Sequence, residues 1–450
     1  MRMHNRVAFF LAVISALLLA PQVFGDMGER SVDLAGAVKL AMENNHEVRS
    51  SRYFLFAQKE DIGIARSYLL PRLSFEERAT RTNNPPGVFM MKLNQERFAQ
   101  TDFDIRSLNS PKPTSDLQTL FTIEQPIFAA RSFIGLGMAK KEYSAQNESY
   151  NRKKEEIAFK VSQAYLQART AKEQLAVTEK ALEDAREHAR IAESRYKNGL
   201  GLYSDVLRTK TSVIEAEQRI VSARKNLAVS KRMLGLVLGV PESIDTAEEE
   251  IDIPLKDADY YATASLSRRD VKALQLRYEN ARNSIRLAES AYLPSLGVGG
   301  AYQFNDHNRI FGSEGESWRV SAALRWDLFD GTSREYERSK ALHKASEAGE
   351  QLKGLKQFVS FKIHEAYLAV EEAQKNVELS QSALKAAEEG KKLVKSRFEN
   401  SLSPVVDLLD VQLNLDHARA NVVAKQNECQ LAIINLSFES GTILKDLSAE

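Results

Sequence analysis

The sequence predicts a mainly α-helical protein that contains two copies of one long helical hairpin together with four β-strands. The first observation is a repeated segment, since Arg195–Leu207 (RYKNGLGLYSDVL) superposes on Arg397–Leu409 (RFENSLSPVVDLL) after a shift of 202 residues. The second is an apolar heptad pattern before each copy of this segment. The third is a pair of alternating apolar and polar stretches before each heptad pattern. Together these observations predict an internal duplication built on coiled-coil helices.

The composition and the N-terminus indicate an exported protein. The 450 residues include 62 Lys and Arg against 61 Asp and Glu, so the charge balance indicates no nucleic-acid partner. Residues 1–25 place Arg2 and Arg6 before an apolar run that is too short to span a membrane, and we interpret them as a signal peptide. The single cysteine, Cys429, excludes an intrachain disulfide. No later stretch is apolar enough for a membrane-spanning helix.

The shift of 202 residues divides the mature chain into two repeats that are joined by an acidic linker. Each repeat is predicted to contain a helix, a strand, a loop, a strand, a long helix, a tip and a second helix. The predicted bounds are repeat 1 at 26–240, the linker at 241–263, repeat 2 at 264–438 and a C-terminal tail at 439–450.

Repeat 1 is predicted to open with a single helix that Ser31 caps and Pro71 ends. Strands are expected at about 72–82 and 116–126, because apolar and polar residues alternate there. The residues between them, 83–113, contain Asn-Asn-Pro-Pro-Gly and Pro-Lys-Pro, which are typical of an exposed loop.

The long helix of repeat 1 carries a coiled-coil pattern between Ile157 and Tyr196. Twelve positions in this range are separated by alternating steps of four and three residues, and eleven of them are apolar. This period of about 3.5 residues predicts a left-handed supercoil. A helix from Ala129 to Tyr196 would extend roughly 100 Å. We expect a tip near 198–204 and a second helix that ends at Leu238.

Repeat 2 is predicted to follow the same plan. Strands are expected at about 295–304 and 318–328, and the second shows strict alternation that includes Trp318 and Trp326. The long helix is predicted to start at Phe329, and its tip lies near 400–405. Its apolar pattern is interrupted only by Ser380 and Lys391.

The four strands leave two interpretations open. Four strands cannot close on themselves, and unpaired strand edges are too costly in lipid, so a membrane location would require oligomerisation. The alternative is a soluble coiled-coil protein with a small sheet at one end. Motifs of the common catalytic classes are absent from the sequence and the seven histidines are scattered, so we predict no enzyme, no metal site and no cofactor.

The order of elements, the duplication and the tip motif resemble the TolC family of outer-membrane efflux proteins. The residues that carry the resemblance are Tyr196-Lys197-Asn198-Gly199-Leu200, Asp205-Val206-Leu207 and Pro126-Ile127-Phe128. The similarity extends over about residues 31–438. It implies a homotrimer whose strands form one 12-stranded outer-membrane β-barrel and whose helices form an α-helical tunnel through the periplasm.

The resemblance also implies a function. Such a protein is the passive exit duct of a tripartite efflux system, which takes small molecules from an inner-membrane pump and a periplasmic adaptor across the outer membrane. A duct of a type I protein-secretion system is an alternative with the same fold. A soluble periplasmic coiled-coil scaffold is an alternative of another class.

The tips are the candidate functional sites. Asp407 and Asp410 share a face at a helix start, whereas repeat 1 has Asp205 and Arg208 at the matching positions, which can neutralise each other. The resemblance implies that the second-repeat acids line the periplasmic aperture; the alternative is stabilisation of a helix N-terminus. It also implies adaptor docking at Tyr196, Gly199, Leu200, Phe398, Ser401 and Leu402. Repeat 2 departs from the motif at Ser401 and Pro404, and Gly199 has the alternative role of allowing a positive-φ turn.

Overall fold

A computed structural model describes residues 31–248 and 253–448 of the chain. The predicted signal peptide lies outside the described residues. The α-helices are α1 (Leu34–Asn44), α2 (His46–Ser67), α3 (Pro85–Asn94), α4 (Ile105–Asn109), α5 (Ala130–Lys197), α6 (Tyr203–Leu238), α7 (Ala258–Ser265), α8 (Arg269–Glu289), α9 (Ser333–Glu399), α10 (Val405–Ser440) and α11 (Ile443–Asp446). The strands are β1 (Ser31–Val32), β2 (Arg72–Thr82), β3 (Thr114–Phe128), β4 (Asp245–Thr246), β5 (Ser295–Asp306) and β6 (Gly315–Arg325). Two 3₁₀ turns complete the elements, at Gln100–Phe103 and Ser290–Tyr292.

The single helix predicted after Ser31 is wrong, because the chain breaks at Asn45. The backbone of Asn45 is extended, and its side-chain oxygen accepts hydrogen bonds from the N–H groups of Glu47 and Val48, which caps α2. The Asn45 amide nitrogen donates to the carbonyl of Val237 at 2.7 Å. Ser31 does not cap α1 either, because it pairs with β4 as part of β1.

The helix α6 ends close to this break. Gly239 has a φ of +79° at the C-terminus of α6, and a Cβ there would lie 2.4 Å from the carbonyl oxygen of Asn44. Only glycine meets both the left-handed backbone and the close approach. Next to this junction, α1, α5, α6 and α10 share a core whose fully buried members include Val38, Ile157, Leu234 and Ile434.

The strands β2, β3, β5 and β6 form one antiparallel sheet in that order, and β2 and β6 are its unpaired edges. The register aligns one aromatic residue from each strand in a row across the sheet. All four rings are exposed in the single chain, at 51, 41, 38 and 73 % for Phe75, Phe121, Tyr302 and Trp318. The sheet therefore presents an aromatic band to its surroundings.

Two predicted bounds near the sheet are wrong. Strand β6 starts at Gly315 and ends at Arg325, so Trp326 and Leu328 lie beyond it. Helix α9 starts at Ser333 rather than Phe329, because Gly331 and Thr332 have positive φ angles of 70° and 69° and cannot belong to a right-handed helix.

The region 83–113 is not the predicted irregular loop. It folds into α3, a 3₁₀ turn and α4, with a small aromatic cluster formed by Phe89, Phe98 and Phe103. Gln95 is buried and donates to the side chain of Asp116 at 2.7 Å, which ties the segment to β3. The Pro-Pro pair that suggested a loop occupies the first turn of α3, where proline is tolerated.

The long helices α5 and α9 agree with the heptad pattern. Helix α5 has 68 residues, which corresponds to roughly 100 Å. Most of its predicted apolar positions are buried or half-buried, including Ile157, Val161, Ala168 and Ala192. The pattern therefore marks the buried stripe of each long helix.

The two helical hairpins lie side by side. Helix α5 packs against α6 and α10, and α9 packs against α10, so that the order across the tip half is α6, α5, α10, α9. Helices α6 and α9 are the two edges of this array. Apolar residues at near-heptad spacing are exposed along α6, at 49, 56, 70, 60 and 64 % for Leu207, Ile214, Val221, Val229 and Leu236.

Candidate entrance at the helical tips

The first hairpin turns at tip 1, residues 198–202, with a left-handed residue at Gly199. The φ of Gly199 is +75°. The N–H of Leu200 donates to the carbonyl of Arg195 at 2.8 Å, and that of Gly199 donates to the carbonyl of Tyr196 at 3.0 Å. This pair of bonds is a Schellman motif, which satisfies the last carbonyls of α5.

The second hairpin turns in the same way at tip 2, residues 400–404. The N–H of Leu402 donates to the carbonyl of Arg397 at 2.8 Å, and that of Ser401 donates to Phe398 at 3.1 Å. Ser401 holds the left-handed position with a φ of +63°. The absence of glycine therefore leaves the turn unchanged, at the cost of a backbone conformation that L-residues disfavour.

The proposed docking residues differ in accessibility. Leu200 and Leu402 project from the turns with 65 and 69 % of their surfaces exposed. Tyr196 is 45 % exposed, whereas the matching Phe398 is only 3 % exposed. The ring of Phe398 packs with Val405 and Leu408 in a small buried cluster and is covered within this chain.

Arg195 joins the two tips. Its Nη1 donates to the carbonyl oxygen of Phe398, and its guanidinium lies over the Phe398 ring with 4.5 Å to the centroid. Its Nη2 donates to the carbonyl of Leu200 at 3.1 Å and to the hydroxyl of Ser401 at 3.0 Å. One side chain therefore binds the ends of both turns, a role that the sequence motif did not reveal.

The four predicted aperture residues lie at the starts of α6 and α10. Asp407 and Asp410 are exposed, and the hydroxyl of Ser403 donates to Asp407 at 2.6 Å. Asp205 and Arg208 occupy the matching turn of α6, and between these two described residues the structure shows no ion pair. The tips differ in charge, because tip 2 carries two acids where tip 1 carries one acid and one base. Asp205 and Arg208 balance each other in charge without a direct contact.

A polar cluster that sequence reasoning missed locks α5 to the second hairpin above the tips. Asp184 of α5 accepts from Lys391 of α9 at 3.1 Å, from Arg419 of α10 at 2.9 Å and from the amide of Gln412 at 3.1 Å. Burial opposes ionisation of Asp184, but the hydrogen bonds and charges of Arg419 and Lys391 outweigh it and lower the pKa of the carboxyl. The only sequence signal was Lys391, which interrupts the apolar pattern of α9.

His188 lies one turn further along α5 in the same cluster. It is 1 % exposed, and its Nε2 is 3.1 Å from the side-chain oxygen of Gln412. Burial lowers the pKa of the imidazole below its ordinary value, although the hydrogen bond to Gln412 opposes this shift. The histidine is therefore held neutral between the hairpins.

A second group of polar side chains lies at the far end of the sheet. Asp306, His307 and Glu314 bring their ligand-type atoms within 4.8 Å of one another. The Nδ1 of His307 is 2.7 Å from Glu314, and Asp306 accepts from the N–H groups of Asn308 and Arg309. These hydrogen bonds account for the arrangement as a loop-closing network.

The sequence is similar to those of known outer-membrane proteins. The sequence matches the family described as "Outer membrane efflux protein" over residues 37–240 and 260–442. The outer membrane efflux protein BepC of Brucella suis is 22 % identical over 428 residues, which cover 91 % of this chain and 87 % of BepC. The alkaline protease secretion protein AprF of Pseudomonas aeruginosa is 22 % identical over 275 residues, or 60 % of this chain and 54 % of AprF.

Solved structures share the architecture. The outer membrane protein VceC of Vibrio cholerae superposes with a TM-score of 0.74 at 17 % identity and covers 91 % of this chain and 96 % of its own. Within residues 31–248 and 253–448, none of the helices has the length and apolar character needed to cross a membrane. Because the family match extends over most of its length, the chain belongs to the outer membrane efflux protein family. Members of this family are channels and not enzymes, and this chain is an outer-membrane channel protein with a helical part that extends into the periplasm.

Proposed function

We propose that three copies of this chain form the passive exit duct of a tripartite efflux system. In this assembly, the sheets close into one 12-stranded β-barrel in the outer membrane and the hairpins enclose a periplasmic tunnel. Small molecules enter at the tips from a periplasmic adaptor and an inner-membrane pump. The family, and the efflux named for BepC, support this function.

The observation that carries the proposal is the pair of open edges that the chain presents. In lipid, the free N–H and C=O groups of β2 and β6 each cost several kcal/mol unless another strand pairs with them. A head-to-tail contact that pairs β6 with β2 of the next copy satisfies both edges when the ring closes. The same contact brings α9 against the exposed apolar stripe of α6 of the next copy. The sheet edges and the helix edges are therefore both satisfied by one closed ring.

Two seams follow in the ring. We call the contact of α5 with α10 inside one chain the inner seam, and the contact of α9 with α6 of the next copy the outer seam. The repeat relation makes them equivalent in position, because α5 matches α9 and α10 matches α6 after the shift of 202 residues.

The tips form the periplasmic end of this duct. Three copies bring six carboxylates, from Asp407 and Asp410, close to one axis, where they would attract cations. Asp205 and Arg208 contribute no net charge at the matching positions. The exposed Leu200 and Leu402, with the turn residues Gly199 and Ser401, offer the adaptor an apolar surface.

Recordings in planar bilayers test the duct and its aperture together. We expect the purified trimer to give stable conductance that multivalent cations block from the periplasmic side. Asp407→Ala combined with Asp410→Ala should weaken the block about tenfold, because it removes all six carboxylates from the aperture. A tenfold change corresponds to a loss of about 1.4 kcal/mol in cation binding. Asp205→Ala is the matched control and should change the block much less. Monomeric, non-conducting protein would contradict the duct, and equal block in all variants would contradict the aperture.

A secretion duct is the second candidate function, because AprF is named for protease secretion. The two functions share the channel and differ in cargo. Deletion of the gene should raise sensitivity to small toxic compounds if the protein serves efflux. Loss of one secreted protein with unchanged sensitivity would favour the secretion duct. The family match argues against the third interpretation, a soluble periplasmic scaffold.

A further inference from the structure

The inner seam buries an apolar cluster at tip 2. Phe398, Val405 and Leu408 are 3, 1 and 0 % exposed, and Ile191 of α5 packs against them from the first hairpin. Arg195 closes the cluster by binding the Phe398 carbonyl and stacking on its ring. Thus α5 contributes one aliphatic and one guanidinium group, separated by one helical turn, to a tip that belongs to the other repeat.

The equivalent groups of the outer seam are present, but they have no partner among the described residues. A shift of 202 residues converts Ile191 to Leu393 and Arg195 to Arg397. Leu393 is 66 % exposed, and the exposed Arg397 side chain has no hydrogen-bond acceptor in residues 31–248 and 253–448. Both residues lie on α9, which is one edge of the helical array.

Two aromatic residues of their receptor are exposed on the opposite edge. Phe398 and Val405 correspond to Tyr196 and Tyr203, whose rings are 5.4 Å apart and are 45 and 55 % exposed. The carbonyl that accepts from Arg195 in the inner seam corresponds to the carbonyl of Tyr196. The chain therefore holds one completed contact and the two separate halves of a second.

We propose that Arg397 and Leu393 of one copy clamp Tyr196 and Tyr203 of the next copy, as the outer-seam equivalent of the Arg195 contact. The inference rests on the ring arrangement of the proposed function and names the side chains that join its tips. The guanidinium of Arg397 donates to the Tyr196 carbonyl and stacks on a phenol ring, which is a favourable cation–π partner. Leu393 covers Tyr203 in the way that Ile191 packs against the cluster containing Val405.

The occupant of this surface is a second copy of the chain rather than another protein. Both halves lie on edges that a ring must bring together, and the inner seam shows that the shared fold already makes this contact with an arginine, an aliphatic side chain and an aromatic ring. One bond is lost in the exchange, because Ser401, which accepts from Arg195, corresponds to Gly199. The outer clamp is therefore the weaker of the two.

Paired cysteines in the full-length protein test the clamp. The background carries Cys429→Ala to remove the single native thiol. Leu393→Cys with Tyr203→Cys should give covalent trimers upon oxidation, because each disulfide joins neighbouring copies. The control, Ile191→Cys with Val405→Cys, should oxidise within one chain and leave the denatured mass at that of a monomer.

The outcomes separate the clamp from the duct. A native trimer in which the control pair closes but the test pair yields only monomers would overturn the clamp and leave the duct intact. A monomer in the membrane extract would overturn both. Cross-linking of the thiol introduced at position 203 to a different protein in place of a second copy would also overturn the clamp. In addition, Arg397→Ala should lower the temperature at which the native trimer dissociates, and an unchanged dissociation temperature would count against the arginine.

Discussion

Tip 1 and tip 2 share one backbone turn but differ in what surrounds them. Phe398, just before tip 2, is buried under Arg195, whereas the matching Tyr196, just before tip 1, is exposed. The cluster around Asp184 likewise has no equivalent, since the positions that match Asp184, His188 and Lys391 are Ala386, Gly390 and Ala189. The inner seam thus holds a charged lock, whereas in the proposed outer seam the positions of its acid, its histidine and its lysine are occupied by small residues. The comparison predicts that the hairpins of one chain stay together while the joints between copies open.

The largest expected effect comes from removing the charged lock. Asp184→Ala leaves Lys391 and Arg419 half-buried without their acceptor, so we expect the inner seam to lose about 2 kcal/mol. Hydrogen exchange of the α10 amides near Arg419 should measure this loss as faster local opening.

The neighbouring Glu183→Ala is a matched control for this change. Glu183 pairs with Lys180 at 2.6 Å on the solvent side of the same helix, and exposed pairs of this kind contribute less than about 1 kcal/mol. Equal exchange rates in both variants would show that the inner seam is not locked by charge, and the contrast between the seams would fail.

A smaller effect is expected from acid, through His188. Its pKa is lowered by burial, so below the ordinary value of 6.5 an opened seam takes up a proton that the closed seam does not. The stability of the inner seam is therefore full above that pH and falls as the pH falls towards the lowered value. Asp184 stays ionised in this range, because its own pKa is lowered. The charged and polar groups around the imidazole of His188 are Asp184, Glu187, Lys391, Lys395 and Gln412.

Hydrogen exchange between pH 7 and pH 5, corrected for the intrinsic rate, measures this dependence. His188→Asn keeps a polar side chain without a titrating ring, and we expect it to remove the pH dependence at the inner seam. Parallel slopes for the two proteins would assign the dependence to another group.

The sequence predicted the long helices because burial repeats along them at a fixed period, and Val359 and Ile363 are buried at predicted heptad positions. It predicted β6 from the alternation of apolar and polar residues, although every residue of that strand after Gly315 is exposed in the single chain. It did not predict the break at Asn45, because the bond that fixes it reaches Val237, 192 positions away. The Asp184 lock joins three helices in the same way, so no local pattern contains it. The tips were found from their motif. Their different burial depends on the contact of α5 with the second hairpin, which covers Phe398 but leaves the matching Tyr196 exposed.

The smallest expected effect concerns the turns themselves, where the two tips are most alike. Gly199→Ala places a Cβ at a φ of +75° with no atom within 4 Å, so it should cost about 1 kcal/mol from the backbone alone. At tip 2, Ser401→Gly relieves the same strain but also removes the hydroxyl that accepts from Arg195. Ser401→Ala removes only the hydroxyl, so the glycine variant should be more stable than the alanine variant by about 1 kcal/mol. Exchange of the amides of Leu200 and Leu402 reports both turns. If the tip 2 difference vanishes while the tip 1 cost remains, the two turns do not share one backbone requirement.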